Sequence, residues 1–113
     1  ILAYLGKNKY LETLPYLIPF LSHSSISLKV QAIESIIELG KRENLSLILP
    51  LLHQEEWKVQ RAVLEAVGQL GSFENIALLE SWLQQDATSV KGWVLRSEAE
   101  EAITLIQARE SLN

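Results

Sequence analysis

Large and small apolar residues return in the same order about every thirty positions along this chain. Ala32, Ser35, Ile36 and Leu39 reappear 31 residues later as Val63, Ala66, Val67 and Leu70, and 36 residues after that as Ala99, Ala102, Ile103 and Ile106. A second stripe obeys a similar step: Leu14, Leu17, Phe20 and Leu21 become Leu45, Ile48, Leu51 and Leu52, then Ile76, Leu79, Trp82 and Leu83. Spacings of three and four put each set on one face of a helix. Two amphipathic helices therefore alternate, and neither can bury its stripe without its neighbours. The pattern predicts an all-α fold, an α-solenoid of stacked antiparallel helix pairs.

Punctuation along the chain sets the expected boundaries. Leu5-Gly6, Leu39-Gly40 and Leu70-Gly71 read as helix ends at which glycine takes the left-handed conformation. First helices are predicted over residues 11–21, 45–52 and 75–84, and second helices over 27–39, 57–70 and 95–109, with Ser27 as an N-cap. Pro15 suits a first turn, whereas Pro19 and Pro50 are expected to bend or shorten their helices. The longer third spacing, 36 instead of 31, predicts an insertion of five residues in a rim loop over 85–94. Residues 1–6 align with 66–71, so they are expected to end a truncated repeat that precedes repeats 7–40, 41–71 and 72–107 and a polar tail, 108–113. The whole then reads as a single domain, the C-terminal part of a longer array.

The segment Val59-Gln60-Arg61-Ala62-Val63-Leu64-Glu65-Ala66-Val67-Gly68-Gln69-Leu70-Gly71 resembles the second helix of a HEAT-like repeat, in the short form known from phycobilisome lyase (PBS lyase) proteins. Residues 28–40 and 95–107 are successively weaker copies: Gln31 and Glu98 stand where this segment has Ala62, and Gln107 replaces the closing glycine. The resemblance implies second helices lining the concave side. It also implies two functions. One is a noncatalytic protein–protein interaction scaffold or adaptor that uses the concave face and one rim. The other is part of a phycobilin lyase, a factor that supports attachment of a linear tetrapyrrole to phycobiliproteins; Trp57, Arg61 and Arg96 would then supply an aromatic wall and cations for the propionates.

Composition narrows the chemistry. The chain of 113 residues is 48% hydrophobic and 21% charged, enough for a continuous core. It has no cysteine, which excludes a disulfide framework, a thiolate nucleophile and a Cys-based zinc site. A net charge of −4 opposes binding to nucleic acid, whose phosphates need a concentrated cationic face. His23 and His53 lack a third ligand at a metal-binding spacing, and Ser22, Ser24, Ser25 and Ser27 read as turn and cap residues with no oriented base. No catalytic residue, metal or cofactor is therefore expected. The strongest apolar run, residues 14–21, is too short to span a bilayer and contains two prolines, so no membrane insertion is expected and a cytoplasmic location is.

What remains is surface. Glu34, Glu65 and Glu101 occupy equivalent positions and form a three-step carboxylate ladder on the second helices, suited to a basic partner segment. Alternatively, these are good helix formers on a wet face, with Arg61 paired to Glu65 four residues on. Lys58, Arg61 and Arg96 mix the sign of this surface. Trp82 takes the register of Phe20 and Leu51 and is expected in the core; Trp57, opening a second helix, and Trp93, in the inserted loop, are candidate partner anchors. The expected partner is a protein, and exposed solenoid ends could also self-associate.

Overall fold

A computed structural model describes residues 14–53, 56–85 and 90–111, and these are helical apart from short turns. Helix α1 (Leu14–Leu17) runs into a 3₁₀ segment (Ile18–Ser22) and packs on α2 (Ile26–Leu39). A turn at Arg42–Asn44 leads to α3 (Leu45–Ile48), a second 3₁₀ segment (Leu49–His53) and α4 (Trp57–Leu70). Helices α5 (Phe73–Gln85) and α6 (Val90–Ser111) form the last pair. Between repeats the closest packing runs through the second helices, α2 on α4 and α4 on α6, which form one layer of the stack.

The prolines explain why two of the three first helices tighten. Pro19 and Pro50 hold the same register position, 31 residues apart. Each lacks the N–H that an α-helix would aim at the carbonyl four residues back, and each ring crowds that carbonyl. Both helices accordingly switch to 3₁₀ geometry one residue earlier, at Ile18 and Leu49. The third copy has Ser81 at this position and stays α-helical throughout Phe73–Gln85.

Capping departs from the sequence reading in two places. Ser25, not Ser27, is the N-cap of α2, its Oγ accepting the Leu28 N–H at 3.4 Å while His23 Nδ1 accepts the Ser25 N–H at 2.9 Å. Ser27 lies inside the first turn and its hydroxyl accepts from Gln31 instead. Gly40 has the expected left-handed backbone, φ 70°, but Gly71 is extended, with φ −74° and ψ 167°. Glycine is needed at Gly71 for space: a Cβ there would run into the Val67 carbonyl and come within 3.1 Å of Ile106. Gly6, with the rest of residues 1–13, lies outside the described residues.

The predicted loop over 85–94 is also corrected. Helix α6 begins at Val90, five residues before the expected start and three before Trp93, the register equivalent of the first residue of α4, so part of the insertion lengthens a helix. Residues 90–94 contain no proline, and the single Gly92 costs only about 1 kcal/mol in a helix interior, which continuation of the helix offsets. The backbone of Trp93 thus belongs to the first turn of α6; its side chain, and residues 86–89, lie outside what the structure describes.

At its other end α6 continues past residue 107 to Ser111 and ties itself to the preceding repeat. Arg109 donates from Nη1 to the Gly68 carbonyl (2.9 Å) and from Nη2 to the Gly71 carbonyl (2.5 Å), satisfying acceptors that the end of α4 leaves open. Glu110 meets Arg42 at 3.1 Å. Beneath these contacts lies one apolar cluster including Leu17, Ile33, Ile36, Ile48, Leu52, Val63, Leu64, Val67, Leu79 and Ile106. Trp82 is in it, as its register requires, at 3% exposure.

Candidate functional site

Residues 26, 30 and 34 of α2 and residues 57, 61 and 65 of α4 are successive i, i+4 positions, and the two sets are related by the step of 31. Because α2 and α4 pack side by side, the two rows face a common groove of about 860 Å³. It is walled by Ile26, Val30, Glu34, Trp57, Lys58, Arg61, Ala62 and Glu65, with Ser27, Gln31 and Glu56 completing it. Five of the eight candidate surface residues therefore converge here. A smaller groove of about 280 Å³ continues between α4 and α6, lined by Arg61, Glu65, Glu98 and Glu101 over a floor of Leu64, Gly68 and Ala102, and edged by Gln69 and Leu105.

Each polar side chain has a definable state. Trp57 is half-buried at the start of α4, packed on the core edge, with Lys58 Nζ 5.9 Å from its ring centroid. Arg61 does not pair with Glu65 as the spacing suggests; it reaches across to Glu98 on α6 at 3.3 Å. That explains the acidic residue standing at the register of Ala62. Arg96 is bonded to Glu100 four residues on, at 3.3 Å, and lines neither groove. Glu34, Glu65 and Glu101 have no ion pair among the described residues.

The Glu65 carboxyl is held above its ordinary value of 4.5, first by withdrawal from solvent and then by the charges of Glu34 on α2 and Glu98 on α6, with Arg61 opposing. A carboxyl shifted upward keeps its proton in the folded state at a pH where the unfolded chain has lost it. Native protein then binds more protons, and stability falls as pH rises above 4.5 through the folded value. Glu65→Gln should remove this slope: urea unfolding of variant and wild type should agree in acid and diverge toward neutrality, with the variant more stable. Equal midpoints at neutral pH would contradict the coupling.

The histidines are exposed, and no group of three or more metal-ligating side chains occurs among the described residues. No helix among them is long and apolar enough to cross a membrane. A family model described as HEAT repeats matches residues 14–104. The chain belongs to the HEAT-repeat family. No curated protein and no solved structure matches it. For this HEAT-repeat protein the groove lies where successive second helices meet. Sequence reasoning placed Glu34, Trp57, Lys58, Arg61 and Glu65 on this surface but missed Ile26 and Val30. The step of 31 applied to Trp57 and Arg61 leads directly to them.

Proposed function

We propose that this HEAT-repeat protein is a noncatalytic docking scaffold that holds a segment of a partner protein in the groove between α2 and α4. The observation that carries this reading is the groove itself, in which an apolar edge of Ile26, Val30 and Trp57 lies beside a charged edge. Such a surface is fixed by the stacked helices before a partner arrives, so little ordering is needed on the scaffold side, and a half-buried tryptophan is the kind of anchor that dominates interface energetics.

The test is affinity capture from native lysate with three baits: wild type, Trp57→Ala and, as an outer-face control, Tyr16→Ser, whose parent side chain is 67% exposed. A protein retained by wild type and the control and reduced about tenfold or more by Trp57→Ala supports the groove, provided circular dichroism shows each bait folded. Capture that ignores Trp57 sinks it. A bilin band in the eluate would instead favour the phycobilin-lyase reading. Of the cations that reading needs, Arg61 is engaged by Glu98 and Arg96 stands outside the groove, which favours a protein ligand.

A further inference from the structure

Two rows of side-chain positions run across the second helices. Ile26, Trp57 and Trp93 are register equivalents, separated by 31 and then 36 residues, and so are Glu34, Glu65 and Glu101. Since α6 begins at Val90, Trp93 falls on helical backbone and keeps the register. Within each helix the two rows are eight residues apart, about 12 Å along the axis. The layer of second helices thus carries apolar Ile26 and Trp57 on α2 and α4, beside a carboxylate row that crosses all three helices.

The charges along these rows are unbalanced. The two grooves hold five carboxylates, Glu34, Glu56, Glu65, Glu98 and Glu101, against the cations Lys58 and Arg61. Arg61 is engaged by Glu98 and Lys58 sits against Trp57, while the three carboxylates of the row have no ion pair among the described residues. Glu65 is held above its ordinary pKa first by withdrawal from solvent and then by repulsion from Glu34 and Glu98, and a bound cation would relieve that repulsion.

Resting on the groove reading above, we propose that the occupant is a basic amphipathic helix of the partner, lying across α2, α4 and α6 with apolar side chains on the Ile26–Trp57 row and Lys or Arg on the Glu34–Glu65–Glu101 row. The dimensions agree. A helix with its side chains is about 10–12 Å across, the separation of the rows. Packed helices lie about 8–10 Å apart, close to the rise of two helical turns, so partner residues at i and i+7 meet successive repeats. An acidic helix would be repelled, and a neutral one would leave the carboxylate row uncompensated.

The experiment is selection of random peptides of about four helical turns from a phage library on the wild-type protein. Anisotropy titrations then follow with the selected peptides against wild type, Trp57→Ala and the triple variant Glu34→Gln/Glu65→Gln/Glu101→Gln. The triple variant removes like-charge repulsion, so folding is not at risk. The expected result is peptides with an apolar stripe beside Lys or Arg, whose affinity falls about tenfold or more in both variants and weakens with salt. Neutral or acidic peptides lost only in Trp57→Ala would overturn the basic helix and leave the groove reading standing. Basic peptides indifferent to the triple variant would likewise overturn it. Peptides insensitive to both variants, or no selected peptide, would overturn both.

Discussion

Gly68→Leu should destabilise the protein by about 1–3 kcal/mol. Gly68 lies in the interior of α4, where glycine is otherwise a poor choice, yet α6 passes so close that a Cβ at this position would stand 3.2 Å from the Ala102 Cα and 3.3 Å from the Leu105 Cδ1. The Ala102 contact is with backbone, and backbone cannot rotate away. A leucine therefore requires α6 to move, which disturbs Ile106 and the Arg109 bonds to the end of α4. Gly68→Ala supplies the control. Its gain of about 1 kcal/mol in helix propensity is set against the small shift that one methyl demands, so it should be near neutral. Urea unfolding should rank glycine and alanine together and leucine well below, with the melting temperature falling roughly 4 °C per kcal/mol. A leucine variant with the wild-type midpoint would show that α4 and α6 do not approach so closely.

Ile36→Ala should cost about 2–5 kcal/mol, the range for emptying a fully buried aliphatic site. Ile36, Val67 and Ile103 are the same position in three copies, but their burial differs. Ile36 and Val67 are completely enclosed and Ile103 is only half-buried. Solvent can reach into the space left at Ile103 and neighbours can settle into it, so Ile103→Ala should cost distinctly less. The comparison isolates environment, because the two substitutions remove identical atoms. Equal losses at Ile36 and Ile103 in denaturant titrations would contradict the graded burial of the stack.

Much of this was legible in the sequence because a solenoid repeats its demands. Two stripes recurring about every thirty residues gave the pairing of helices, put Trp82 in the core and brought Glu34 and Glu65 to one surface. The failures share a cause: they depend on where backbone passes in three dimensions. A cluster of serines before α2 offers several possible caps, and only the path of the turn selects Ser25. Gly71 resembles Gly40 in sequence, yet it answers to the nearby Val67 carbonyl and Ile106 instead of a left-handed turn. Arg61 has Glu65 at the favourable helical spacing but finds Glu98 across the gap between repeats. Trp93 was assigned to a loop because the period broke there, although inserted residues can join a helix by lengthening it. Among the candidates, Arg96 is the one whose described contacts take it away from both grooves.

The fastening of α6 also bears on how the array yields under load. Arg42 to Glu110, Arg61 to Glu98 and Arg109 to the carbonyls of Gly68 and Gly71 all brace the step between the second and third repeats. A stack of repeats behaves as a spring whose compliance is the sum of its steps. With that step cross-braced, load passes from α6 into α4 through ion pairs and hydrogen bonds as well as through apolar packing. The last two second helices are thus anchored to one another as a unit, and a pull on α6 is transmitted directly to α4.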